Sequence, residues 1–172
     1  ELNEFANVNI TALRRRETIS FAAVMQRAVR AGKGAAIALG KTIEFEVSGE
    51  DLGLHESLCN AIADPLLHLV RNAVDHGVEH EGKITIEAIQ GQRDVKIKVT
   101  DNGRGIDPAL FATGKIFAPG FSTASEVSEL SGRGVGLDVV KTAVEDAGGS
   151  VTLNSQLGFG TTFEITLPLT SG

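Results

Sequence analysis

The sequence predicts an α+β domain. It would be a two-layer α/β sandwich whose mixed, mostly antiparallel sheet of about five strands carries helices on one face. Two observations carry that expectation. Five short stretches alternate apolar and polar residues, the period of a strand with one buried face. Their apolar positions are Ile43, Phe45 and Val47; Ile84 and Ile86; Val95, Ile97 and Val99; Val151 and Leu153; and Phe163, Ile165, Leu167 and Leu169. The last four stretches form two hairpin-like pairs, around GQR and GFG, and helical periods fill the gaps between strands.

Residues 1–11 show no clear period and read as the end of an incoming segment, leaving residues 12–172 as one domain. From Ala12 to Leu39 a helical pattern runs through Leu13, Phe21, Val24, Ala28, Ala31, Ala35 and Ala38. Gly32 and Gly34 each weaken it by about 1 kcal/mol relative to Ala, so a break is expected near them. Arg14, Arg15, Arg16, Arg27 and Arg30 make this segment basic, either as a solvated face or as a docking face for an acidic partner domain. Gly40 closes the helix. After the first strand, SGEDLGLH reads as a loop. Asp64 and Pro65 then read as an N-cap and a first helical residue, so the central helix is expected to start at Pro65 and end at Gly77. The second and third strands follow. Residues 108–131 have no period and read as a lid or binding loop. GRGVGLDVV opens a last helix through Val139, Val140, Ala143, Val144 and Ala147, ended by Gly148 and Gly149.

Composition narrows the function. With 172 residues and 42% hydrophobic content, the chain can bury one sizeable core. It has no Trp and no Tyr, so Phe, Leu, Val and Ile must fill that core. A net charge of −6 and a pI near 5.2 argue against a nucleic-acid platform. The lone Cys59 cannot form an internal disulfide, which fits a reducing compartment. No secretory signal and no bilayer-length apolar run are visible, so a cytoplasmic protein is expected. The chain begins without Met, as an excised piece would.

Three stretches carry chemistry. In HLVRNAVDHG, residues 68–77, His68, Asn72 and His76 fall at i, i+4 and i+8 of a helix, with Asp75 beside them. Such a stripe could hold Mg²⁺ and phosphate oxygens; alone, it is equally a solvated helix face. DNGRGID, residues 101–107, puts a carboxylate at a strand end. Asp101 can accept from an exocyclic amine such as that of adenine, and Gly103 and Gly105 allow a sharp turn and close approach of a flat ring. Alone it is an ordinary turn signal. GRGVG, residues 132–136, precedes a helix, where backbone N–H groups and the helix dipole favour an anion. No GxxxxGK[ST], CxxC or HExxH occurs.

The order is more specific than any member. An HxxxN helix, DNGRGID, IFAPGFST, SGRGVGLDVV and GFGTTF together resemble the GHKL ATP-binding fold shared by gyrase, the heat-shock chaperone of ninety kilodaltons, mismatch-repair ATPases and sensor histidine kinases. HLVRNAVDHG, IFAPGFSTA and SGRGVGLDVVK resemble the CheA-type chemotaxis histidine kinases, which have His where most of the others carry Glu or Asp. The resemblance spans roughly residues 20–170. It implies binding of ATP and Mg²⁺ and transfer of the γ-phosphoryl group to a His on a separate phosphoacceptor (Hpt-type) domain. It implies Asn72 as the Mg²⁺ ligand, His68 as base or polarising group, and His76 on phosphate or metal-bound water. Asp101 would read adenine, with Gly105 and Ile106 lining the base beside Gly103, and Thr161 closing the pocket. Gly132, Arg133, Gly134, Val135, Gly136 and Leu137 would wrap the phosphates, and Ser122 and Thr123 would lie in the lid.

The chain departs from the CheA pattern in two places. Only LFATGK joins IDPA to IFAPG, where the family has a longer lid, and the turn between DHGVE and KITIE is shorter than usual. The implied partners are the phosphoacceptor, dimerisation and coupling-protein-binding domains of a longer kinase, and a response regulator downstream. Two other readings stay open: a GHKL ATPase or protein-serine kinase, and a non-catalytic nucleotide-sensing or interaction domain.

Overall fold

The computed structural model describes residues 19–112, 115–117 and 136–169. Helix α1 spans Phe21–Ala38, strand β1 Thr42–Ser48, and helix α2 Glu56–Asn72, which runs straight into a π-helical turn, Ala73–Gly77. Strands β2, Glu81–Gln90, and β3, Asp94–Asp101, follow. Next come the short helix α3, Pro108–Ala112, a 3₁₀ turn at Lys115–Phe117, helix α4, Leu137–Asp146, and strands β4, Ser150–Gln156, and β5, Gly160–Pro168.

The five strands form one sheet in the order β1-β2-β3-β5-β4. Only β1 and β2 run parallel; β2–β3, β3–β5 and β5–β4 are antiparallel, which bears out the α+β expectation. Alternation decides which face is buried. Ile84, Ile86, Val95, Ile97, Val99, Phe163, Ile165 and Leu167 turn toward the helices, and all are buried. They meet Phe21, Met25, Ile62, Leu66, Leu69, Val70 and Val74 from α1, α2 and the π turn, with Val140 and Val144 from α4. The opposite face is polar: Lys96 and Lys98 both reach Glu164 at 3.5 Å, and Thr100 and Thr162 share a hydroxyl bond of 3.0 Å.

The helix boundaries differ from the sequence expectations. Helix α1 begins at Phe21, because Ser20 is extended and its Oγ accepts the N–H of Ala23 at 3.1 Å; the expected helical stretch over residues 12–18 lies outside the described residues. No break occurs at the glycines. A Cβ on Gly32 would stand 2.8 Å from the Phe45 ring and from Val70, so here glycine allows α1 to lie against β1 and α2. The closure at Gly40 is as expected: it takes φ +65°, and Lys41 N–H reaches back to Ala36 O at 2.9 Å.

α2 does not start at Pro65. It starts at Glu56, capped by His55, whose Nδ1 accepts from Ser57 N–H at 3.2 Å. Proline inside a helix costs about 3 kcal/mol. Leu58, Ile62, Leu66 and Leu69 form one continuous buried stripe across it, and burying such side chains contributes about 1.5–3 kcal/mol each. The stripe outweighs the proline. Residues 108–131, expected to lack regular structure, include α3 and the 3₁₀ turn; residues 118–131 lie outside the described set.

Candidate nucleotide site

The end of α2, the β3–α3 loop and the β4–β5 hairpin meet at one end of the sheet. The π turn packs on β3 and β5. Its wider winding appears as Val78 N–H bonded to Ala73 O at 3.0 Å, five residues back. His68 and Asn72 keep their α-helical i, i+4 relation on α2. His76 lies in the π turn and is rotated off the strict i+8 stripe that the sequence suggested. All three side chains are half-buried.

One lysine holds this turn. Lys41, between α1 and β1, donates through Nζ to Val74 O at 2.6 Å and Asp75 O at 3.1 Å. Those are carbonyls a helix end leaves without partners, and a cation there also suits the dipole. Burial pulls the Lys41 ammonium below its ordinary pKa, with Asp75 opposing and Arg104 reinforcing. The same neighbourhood acts on His76. Burial lowers its pKa first, Asp75 raises it, and Arg104 and Lys41 lower it, so the net shift favours the neutral imidazole.

The DNGRGID loop is tied to the helix end by backbone and to β2 by a side chain. Arg104 N–H donates to Gly77 O at 3.0 Å, and Asn102 Oδ1 accepts from Lys83 N–H at 2.7 Å. A Cβ on Gly103 would fall on the Gly77 carbonyl. The expected sharp turn is present at Gly105, φ +71°, where a Cβ would strike the Gln156 backbone. Both glycines thus let three backbone segments touch. Ile106 and Gly105 are half-buried on that loop.

Asp101, the last residue of β3, is 5% exposed. Its Oδ1 accepts from Gly103 N–H at 2.9 Å. Burial raises its carboxyl pKa, and backbone N–H groups of Gly103 and Thr161 pull it partly back. Thr161 pairs with Asp101 across β3 and β5 and is itself buried. Ser155 on β4 joins the group: its Oγ accepts Ile106 N–H at 2.8 Å and lies 2.8 Å from Thr161 Oγ1.

Gly136 is the N-cap of α4 and Leu137 its first residue, as the glycine-rich box requires. Ser122, Thr123, Gly132, Arg133, Gly134 and Val135 lie outside the described residues. The structure therefore joins His68, Asn72, His76, Asp101, Gly103, Gly105, Ile106 and Thr161 around one end of the sheet. Sequence reasoning missed Lys41 and Ser155. Lys41 acts over 33 residues with no local signal. Ser155 was within reach, because the GFG turn sets it opposite Thr161.

Among the described residues no group of three or more His, Cys, Asp or Glu converges on one point. The acceptor-rich Asp101–Thr161 end fits a base carrying an amine.

Comparison with known proteins supplies the family. Residues 61–171 match the histidine kinase-, DNA gyrase B- and HSP90-like ATPase family. The chemotaxis protein CheA of Cereibacter sphaeroides is 42% identical over 178 residues, covering 86% of this chain and 26% of that protein. The sensor histidine kinase CheAY of Helicobacter pylori is 38% identical over 165 residues, covering 77% and 20%. This chain thus spans about a fifth to a quarter of the curated relatives it matches. Both alignments are longer than the part of this chain they take in, so each relative carries residues with no counterpart here. In fold, the nucleotide-free catalytic domain of the histidine kinase ThkA superposes with a TM-score of 0.68 at 24% identity, covering 87% of this chain and 93% of that one. This chain belongs to the histidine kinase-, DNA gyrase B- and HSP90-like ATPase family, and within it to the CheA-type catalytic domains.

Proposed function

We propose that this chain binds Mg·ATP and donates the γ-phosphoryl group to a histidine on a separate phosphoacceptor domain, as the kinase domain of a cytoplasmic CheA-like protein. One observation carries the proposal: a buried carboxylate, Asp101, abuts the end of the helix that bears His68, Asn72 and His76. In this reading the base reader and the phosphate-facing residues lie side by side. Phosphoryl transfer needs mainly positioning and charge neutralisation, which such an arrangement can supply.

In this reading Asp101 accepts the adenine amine, Gly103, Gly105 and Ile106 line the ring, and Thr161 closes its far side. Asn72 offers its amide oxygen to Mg²⁺, which would neutralise phosphate charge when bound. His76, kept neutral, offers a lone pair to a water or a donor beside the phosphates. His68 polarises the γ-phosphate region or takes the proton of the incoming histidine. Gly132 to Leu137 wrap the phosphates, and Ser122 and Thr123 sit in the lid. The phosphoacceptor, dimerisation and coupling-protein-binding domains belong to the longer kinase, and a response regulator receives the phosphoryl group downstream.

The test mixes the chain with γ-radiolabelled Mg·ATP and a histidine phosphoacceptor domain. Acid-labile label on the acceptor is expected. Hydrolysis without transfer points to a GHKL ATPase, and binding with neither reaction to a nucleotide-sensing domain. Either result overturns the kinase reading.

A further inference from the structure

Asp101, Thr161 and Ser155 form a row across three strands. Thr161 on β5 is paired with Asp101 on β3 and with Ser155 on β4. Residues paired in this way turn their side chains to the same face. The next row inward, Val99, Phe163 and Leu153, is apolar, so the polar row marks the end of the core.

The hydroxyl of Ser155 has one proton and two lone pairs to share. Ile106 N–H, 2.8 Å away, can only donate, so it takes a lone pair. The Gly160 carbonyl, 3.0 Å away, can only accept, so it takes the proton. Thr161 Oγ1 stands 2.8 Å away, and only the second lone pair remains for it. Thr161 must therefore donate its own proton to Ser155. Its oxygen then offers lone pairs alone to the rest of the site, beside a carboxylate that also accepts.

We infer that Ser155 is a positioning residue for base selection: it fixes Thr161 as an acceptor next to Asp101. A purine that presents an exocyclic amine there is bound, and one that presents a carbonyl is refused. The inference rests on the nucleotide-binding reading above and adds the residue that sets the direction of the Thr161 hydroxyl. A carbonyl facing two acceptors leaves its lone pairs unmatched, and an unmatched buried polar group discriminates strongly. Without Ser155, the Thr161 hydroxyl is free to rotate and donate to that carbonyl.

The experiment measures affinity for Mg·ATP and for Mg·ITP, which carries a carbonyl in place of the amine, by titration calorimetry on the full chain. The unmodified chain should prefer ATP. Ser155→Ala should weaken ATP through loss of the Ile106 anchor and narrow the ATP-to-ITP ratio about tenfold, the scale of one hydrogen bond. Ser155→Thr, which keeps the hydroxyl, should hold the parent ratio. In a Thr161→Val background, Ser155→Ala should leave the ratio where Thr161→Val alone puts it. A merely structural role for Ser155 lowers both affinities by the same factor, and that result overturns the inference. So does a ratio that still shifts in the Thr161→Val background. A parent chain that binds neither nucleotide overturns the nucleotide-binding reading itself.

Discussion

The two ends of the site are built by different means. The proposed base end is made of strand register: Asp101, Thr161 and Ser155 are neighbours because β3, β5 and β4 are paired, and backbone N–H groups hold the carboxylate. The proposed phosphate end is made of one helix. His68 and Asn72 depend on its α-helical winding, and His76 on a π turn held by Lys41. A sheet fixes neighbours at many points, whereas a helix end has free carbonyls and winds as its caps allow. The base end should therefore set which nucleotide binds and how tightly. The phosphate end should set what happens to it.

The largest expected effect is at the phosphate end. Asn72→Ala should abolish transfer to a phosphoacceptor domain while weak, Mg²⁺-independent ATP binding remains. Unchanged transfer would remove Asn72 from the site and dissolve the contrast. At the base end, Asp101→Ala should lower ATP affinity about a hundredfold, the scale of losing hydrogen bonds to a charged group, with far-ultraviolet circular dichroism unchanged. If the unmodified chain bound GTP as well as ATP, the assignment of Asp101 to the amine would fail.

Lys41→Met tests the helix end without touching the proposed ligands. It removes two charge-assisted bonds to Val74 and Asp75 carbonyls. Urea unfolding should show a loss of about 1–3 kcal/mol, and transfer should fall by more than ATP affinity does. Equal losses in both would show that the π turn matters to the base as much as to the phosphates.

The smallest effect is a pH dependence. Burial holds the Asp101 carboxyl above the ordinary aspartate value of 3.8. Acidification through that raised value protonates it and should weaken ATP binding before ordinary carboxylates titrate. The stability contribution of the same group runs the other way. The folded form binds this proton more tightly than the unfolded one, so this term favours folding as pH falls between the raised and ordinary values. Measured against Asp101→Ala, which lacks the group, affinity should fall with acidification while the stability difference grows in favour of the parent. Affinity and stability falling together would place the titration elsewhere.

The contrast between the ends also marks what the sequence could reveal. Period-2 alternation was legible in every strand because one face of each packs toward the helices, buried in β2, β3 and β5 and half-buried in β1 and β4, and it carried Asp101 to the end of β3 and Thr161 to the start of β5. Helix ends were harder. Asp64 and Pro65 carry the local mark of a helix start, yet the stripe from Leu58 to Leu69 overrides it. Gly32 and Gly34 weaken a helix in isolation, but Gly32 is where α1 meets Phe45 and Val70. The π turn and its Lys41 clasp depend on contacts remote in sequence, for which no local pattern exists. In DNGRGID the glycines were visible as such, but their close contacts with Gly77 and Gln156 belong to tertiary structure.

The division between the two ends is tested most directly at His68. The measurement is the rate of γ-phosphoryl transfer from saturating Mg·ATP to a histidine phosphoacceptor domain, for His68→Gln against the parent, with ATP affinity determined in parallel. A glutamine can still donate to a phosphate but is a poor base. General acid–base assistance is worth about 10²–10⁴-fold, and an interaction made only in the transition state leaves ground-state binding intact. The expected result is transfer lowered by that factor with ATP affinity unchanged. Transfer at the parent rate, or a loss of affinity that accounts for the slower transfer, would contradict the division.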